Sequence, residues 1–362
     1  MQDLDQSACR PTNRTVDRAE TFPWGWFGVG FVSDLRDGHA LAATVNGHEL
    51  AIYRGASGAL TALDAHCPHL GAHMGHGGTV EGDELRCHFH GFCFDAEGRC
   101  TRTGYGARVP PKARVRSHPV MDFGGVLAVW WHPDGAAPLW TPSFPDRNGW
   151  SAPRPNLWTF AGRPQEIAEN SVDLGHLSVV HGYGAPSVVG DVRFDGPLLR
   201  ATIRFRRPLP FFGRRGPSVS ITAHITQHGV GLASVESLTE DLGVETRFVV
   251  SSASLDASQV ALRTTVSARS LRHHPRLRGV APVLPTRALD ALLMRSLHAS
   301  FAADVTQDVP IWSHKRALEH PCLAEGDGPL GRYRSWARQF YREARTRLAV
   351  VGAAAGDDES SR

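Results

Sequence analysis

Four residues in the N-terminal third have the types and spacing of a metal-binding set. Cys67 and His69 lie in Cys67-Pro68-His69-Leu70-Gly71, and Cys87 and His90 in Cys87-His88-Phe89-His90-Gly91, with seventeen residues between His69 and Cys87. As ligand spacing this is C-x-H, a long gap, then C-x-x-H. A 2Fe–2S cluster with two thiolates on one iron and two imidazoles on the other needs one of each from two loops. The glycine after each histidine lets the backbone turn tightly there. A Cys₂His₂ zinc site draws on the same residue types, but zinc fingers usually pair Cys with Cys and His with His along the chain. His88 competes with His90, and the C-x-x-H-G spacing favours His90. His66, His73 and His76 read as surface or supporting residues. Cys93 and Cys100 fall outside the pattern and need no role.

A second set lies in Asn170-Ser171-Val172-Asp173-Leu174-Gly175-His176-Leu177-Ser178-Val179-Val180-His181. Two histidines and a carboxylate on one face of an iron leave positions open for dioxygen. On an unbroken helix His176 and His181 would point about 140° apart. They converge only if the helix unwinds between them or ends at the second, and Gly182 and Gly184 suit such an ending. The plainer alternative is two histidines on a helix surface. The carboxylate must come from far along the chain, and Asp304 and Asp308 in Phe301–Trp312, four apart on one helical face, both qualify. Pro310 disfavours regular helix there, so Asp308 is expected at a kink.

The elements that hold these residues are legible in outline. Residues 22–140 read as short strands broken by glycine turns, for example Glu49–Tyr53 and Val126–Trp131. Residues 133–156 are rich in proline and polar residues and suit a boundary. A helix is expected from about Pro164 to Gly182 or Gly184. Residues 190–270 alternate apolar and polar as in an antiparallel sheet, and 286–303 and 329–349 return to helical spacing. The expected organisation is an arm at 1–21, an all-β domain at 22–140, an α+β domain at 141–350 and a flexible tail at 351–362.

The chain has 362 residues with 39 basic against 36 acidic, so its net charge of +3 gives no case for nucleic acid as a partner. No stretch approaches the roughly 18 apolar residues of a membrane helix. The N-terminus lacks a secretory core, and six cysteines in so long a chain suggest no disulfide framework. A cytoplasmic protein without a membrane span is expected.

The stretch Asp64 through Gly98 resembles the cluster domain of Rieske oxygenases and ferredoxins. Ala72 stands where the respiratory Rieske proteins have a disulfide cysteine, which implies the lower-potential kind of centre. The pattern D-x-x-H-x-x-x-x-H resembles that of Rieske oxygenase catalytic domains. Val109–Ala113, Ala168–Asp173, Gly326–Pro329 and Arg334–Tyr341 resemble the group of 3-ketosteroid 9α-hydroxylase oxygenases and cholesterol 7-desaturases. The resemblance implies a helix-grip catalytic domain, an antiparallel sheet with helices, after the Rieske domain. It implies one 2Fe–2S cluster per chain on Cys67, His69, Cys87 and His90, and one Fe(2+) per chain on His176, His181 and Asp308. Asp308 is selected over Asp304 by the family's D-x-x-I-W pattern. Asp173 would relay electrons from the cluster histidine His90 of an adjacent chain to His176, with Asn170 nearby, which implies a homotrimer.

By the same resemblance the chain is the oxygenase component of a monooxygenase system. A ferredoxin reductase-type partner would pass it NAD(P)H-derived electrons. Its substrate, oxidised with O₂, would be a bulky apolar, steroid-like or polycyclic molecule, with Phe211 and Phe212 as candidate substrate-binding residues. A desaturase or dealkylase of the family is the alternative reaction. The alternative of another class is a Rieske electron carrier fused to a lipid-binding domain.

Overall fold

The computed structural model describes residues 22–208, 217–271, 286–318 and 320–341. The expected arm, the tail and the Phe211–Phe212 pair lie outside the described residues.

The N-terminal part consists of three small antiparallel sheets. One joins Gly25–Phe31, Val126–Trp131 and Val120–Phe123. A second joins Leu41–Val45, His48–Arg54, Leu60–Asp64 and Ser117–His118. The third, Thr79–Glu81 through Cys100–Arg102, carries the second Cys/His loop between two of its strands. Alternate side chains of the first two sheets (Phe27, Val29, Leu50, Ile52, Leu127, Val129) make one core. Tyr53, Leu63, Met74, Leu85 and Phe94 make another behind the two loops.

A partly buried polar contact joins three strands of the second sheet. Asp64 Oδ1 lies 2.7 Å from His48 Nε2 and 2.7 Å from His118 Nε2. Burial pushes the Asp64 carboxyl up, but the hydrogen bonds from His118 and His48 outweigh that and hold it well below the usual carboxylate range. A carboxylate whose pKa is depressed on folding adds stability above its unfolded pKa, and that stability is lost as pH falls through the folded value. Asp64→Asn is therefore expected to cost about 1–2 kcal/mol at pH 7. The gap in melting temperature should close in acid; a gap that persists undiminished would show that the charge is not the cause.

The C-terminal part is one eight-stranded antiparallel sheet. Its order is Arg154–Ala161, Gln259–Ala268, Val244–Ser254, Leu232–Thr239, Ser218–His228, Leu198–Pro208 and Gly184–Val188, with Arg193–Asp195 also on Leu198–Pro208. The alternation read at 218–225 becomes inward Ile221 and Ala223. Among the described residues four α-helices accompany the sheet: α1 (Pro164–Glu169), α2 (Leu174–Val179), α3 (Thr286–His314) and α4 (Leu330–Ala337). Helix α3 packs on the sheet through Val305 and Trp312, and the Trp312 ring stacks on Phe160 at 5.8 Å.

Two expectations change. The single helix expected from Pro164 is two short ones, because Asp173 caps α2 with its side chain instead of continuing α1. Short acceptors favour that position over a helix interior. Helix α3 does not stop near residue 303; it continues to His314 with Pro310 inside it.

The two parts share a core. Trp26, Phe123, Val126 and Trp130 pack with Leu232 and Val249. Ser251 Oγ accepts from Gly28 N at 2.6 Å, and Arg263 Nη1 donates to Gly28 O at 3.1 Å. A Cβ on Gly28 would come within 2.6 Å of Ser251 Oγ, so only glycine allows this approach. No helix among the described residues is long and apolar enough to cross a membrane.

Candidate metal centres

The two Cys/His loops are built alike. Cys67 N donates to Ala72 O and Gly71 N to Cys67 O, both at 2.9 Å, while Cys87 N donates to Phe92 O at 2.8 Å and Gly91 N to Cys87 O at 3.0 Å. Both glycines sit at positive φ, +75° for Gly71 and +69° for Gly91. Gly71 faces open space, whereas a Cβ on Gly91 would meet Gly104 Cα at 2.7 Å. The second loop thus needs glycine on two grounds and the first on one.

The folded loops bring His69 and His90 together, with ring centroids 4.6 Å apart. His69 stacks on Phe92 at 4.5 Å. Cys67 and Cys87 are buried, and burial pushes the Cys67 thiol up to about 11. Such a thiol ionises readily only when a cation compensates it. His69 Nδ1 is buried without a hydrogen-bond partner among the described residues, as a ring nitrogen awaiting a metal would be. Two thiols and two imidazoles so placed fit a Rieske cluster. His88 is exposed and packs over Gly77. Cys93 is buried behind the loop, and Cys100 Sγ contacts Arg102 O. Near the first loop, His66 Nδ1 contacts Gly71 O at 3.0 Å and its Nε2 contacts Glu49 Oε2 at 2.8 Å. Both partners are acceptors, so this brace favours the protonated ring, and the hydrogen bond with Glu49 raises its pKa.

The second set assembles where α2 ends. His176 lies inside α2 and His181 just beyond Val180, before Gly182 at φ +69°. Their rings come to 5.3 Å. Asp308 on α3 places Oδ2 at 3.4 Å from His181 Nε2, and donor atoms of the three residues all lie within 4.8 Å of one another. All three side chains are largely buried, and His181 Nδ1 has no partner among the described residues. Burial alone would depress the His181 pKa, but Asp308 outweighs it and the pKa is raised. Two imidazoles and a carboxylate converging in a buried place fit a non-haem iron.

Asp173 does more than cap. Its Oδ1 accepts from His176 N at 3.2 Å, and its backbone carbonyl takes His176 Nδ1 at 2.7 Å. That bond places the ring proton on Nδ1 and leaves Nε2 free for a metal. Asn170 forms the C-cap of α1, its backbone N–H turned to Ile167 O. Asp304 faces other partners: Tyr183 Oη donates to it at 2.7 Å, and Arg207 pairs with it.

Sequence reasoning missed the residues that hold α1 and the turn after it in place. Arg334 clamps Glu169 with two bonds of 2.8 and 2.9 Å, and Gln227 Nε2 donates to Ala168 O at 2.6 Å and Ser171 Oγ at 2.8 Å. Breaking one side of so buried a pair typically costs about 3–5 kcal/mol. Only a pairing of charges far apart in the chain could have signalled it.

A β-sheet domain whose two Cys/His loops fit a 2Fe–2S cluster, joined to a sheet-and-helix domain where two histidines and an aspartate converge, has the make-up of a Rieske non-haem iron oxygenase. Residues 25–119 match the Rieske 2Fe–2S domain, and residues 129–341 match the 3-ketosteroid 9α-hydroxylase C-terminal domain. The chain belongs to this family, as a Rieske oxygenase component. It is 28% identical over 332 residues to the cholesterol 7-desaturase of Xenopus laevis, covering 88% of this chain and 72% of that one. It is 27% identical over 331 residues to a 3-ketosteroid-9-alpha-monooxygenase oxygenase component of Rhodococcus rhodochrous, covering 88% and 84%. Among solved structures, dicamba monooxygenase bound to dicamba shares the fold at a TM-score of 0.60 and 20% identity, covering 89% of this chain and 98% of that one.

Proposed function

We propose that this chain oxidises a bulky apolar, steroid-like substrate with dioxygen, using electrons that a separate reductase draws from NAD(P)H. The observation that carries this reading is the convergence of His176, His181 and Asp308 in a protein that also builds a cluster site. An electron carrier with an inert lipid-binding domain has no use for that second convergence.

In this reading residues 22–140 hold the cluster through Cys67, His69, Cys87 and His90, and residues 141–350 hold the iron. When bound, the two groups supply one-electron transfer and dioxygen activation. Cys67 and Cys87 would hold the cluster as thiolates, and His69 and His90 would hold it through a ring nitrogen each. The Asp173 carbonyl keeps the proton of His176 on Nδ1. Partly buried Trp158, Phe248, Val250, Phe301 and Val309 make the seam between sheet and α3 apolar, which supports an apolar substrate. The relatives are a cholesterol 7-desaturase and a 3-ketosteroid-9-alpha-monooxygenase component, which supports the substrate class.

Electron passage between subunits is part of the proposal. Leu70 and Phe89, beside the cluster histidines, are 64% and 57% exposed, and Val179 on α2 is 81% exposed. Apolar groups so exposed beside both sites suit a docking of one chain's cluster tip on another's α2, as in a homotrimer.

The test is turnover of a steroid panel with a reductase, NAD(P)H and ¹⁸O₂. A product carrying one labelled oxygen is expected, and a product with a new double bond and no label would make the reaction a desaturation. Iron confined to the cluster, with no oxygen-dependent product from any substrate, would leave the carrier reading in its place.

A further inference from the structure

One turn before Asp308, Asp304 offers α3 a second carboxylate beside the same buried region. Side chains four apart on a helix lie about 5–6 Å from each other at Cβ, so the two acids compete for one cation. What separates them is their other partners. Tyr183 Oη donates to Asp304 Oδ2 at 2.7 Å, and Arg207 Nη2 donates to that same oxygen. Arg207 Nη2 also donates to Ser300 Oγ at 2.6 Å, and its guanidinium lies 5.3 Å over the Tyr183 ring. That ring stacks on Phe205 at 4.8 Å and stands 5.4 Å from His181. Asp304 is thus held by a charge and a hydroxyl that are themselves fixed by packing. Asp308, by contrast, directs Oδ2 at His181.

We propose that Arg207, assisted by Tyr183, selects the iron's carboxylate. By pairing with Asp304 it withholds that side chain from the metal and leaves Asp308 as the third donor. For Asp304 to ligate, its ion pair must break and leave Arg207 largely buried and without its counter-charge, which is strongly unfavourable. Arg207 is in this sense a positioning residue: it acts on the centre through Asp304. The inference rests on the assignment of His176, His181 and Asp308 made above.

Metal content and the EPR spectrum of the ferrous–nitric oxide adduct test it on the full chain with its cluster in place. Asp308→Ala should lose the mononuclear iron and keep the cluster's visible spectrum. Adding Arg207→Met releases Asp304, and ferrous-iron affinity should recover by at least about tenfold over Asp308→Ala alone. A double variant that keeps the cluster spectrum but binds iron no better overturns the selection and leaves the Asp308 assignment standing. Retention of iron by Asp308→Ala overturns the assignment itself. If the double variant does not fold, Arg207→Met alone decides. A second nitrosyl species that disappears in Arg207→Met/Asp304→Asn supports the proposal, and a spectrum unchanged from that of the unaltered protein overturns it.

Discussion

His176→Ala is expected to abolish turnover while leaving the cluster's visible spectrum intact and lowering iron by one atom per chain. The separation follows from the architecture. His176 lies on α2, while the cluster loops hang from the N-terminal sheets and are braced locally, by Glu49 through His66 and by Phe92 against His69. The side chain leaves neither helix nor cap behind it: the Asp173 cap is made to the backbone N–H of residue 176, which alanine keeps. Loss of activity with unchanged melting would therefore mean loss of a ligand, not of fold. Retained turnover would remove His176 from the iron site.

Asp173 is expected to show the second-largest effect, and here two substitutions must be compared. Alanine removes the N-cap of α2, a loss of about 1 kcal/mol, together with the carboxylate. Asparagine keeps a capping oxygen and removes only the charge. If Asp173 relays electrons, both variants should lose roughly 10–100-fold in turnover while keeping iron and cluster. If it only caps, Asp173→Asn should be nearly as active as the unaltered protein. Rapid mixing of the reduced protein with substrate and O₂ distinguishes the two, since only a relay defect slows reoxidation of the cluster. Mixed oligomers of Cys87→Ser and His176→Ala chains should recover activity that neither variant has alone, because an intact cluster then faces an intact iron site across a boundary. A fully active monomer would end the inter-subunit account.

The two Cys/His loops stand out in the sequence because each is local: a cysteine, a histidine and a glycine within five positions, closed by hydrogen bonds from within the loop. His176 and His181 were legible for the same reason, with Gly182 to end the helix. The break at Asn170–Asp173 was not, because an Asp that caps and an Asp on a helix face look alike until the backbone is seen. Helical spacing alone leaves Asp304 and Asp308 equal, since both share one face of α3, and only the family's D-x-x-I-W pattern favoured Asp308. The partners that hold Asp304, Arg207 and Tyr183, are 97 and 121 residues away in sequence. Glu169 and Arg334 are 165 apart, and neither carries a local sign of the other. Pro310 suggested an end to regular helix, yet α3 continues past it to His314. Local chemistry was readable, and long-range pairing was not.

The shared core between the two parts bears on how such proteins can be rebuilt. Gly28 of the first strand is held by Ser251 and Arg263 of the large sheet, and Trp130 packs with Leu232 and Val249. A graft that exchanged the cluster domain for another at residue 140 would leave those partners facing strangers. Modular exchange in this chain must therefore carry its seam along, with Gly28 and its two anchors as one inherited unit.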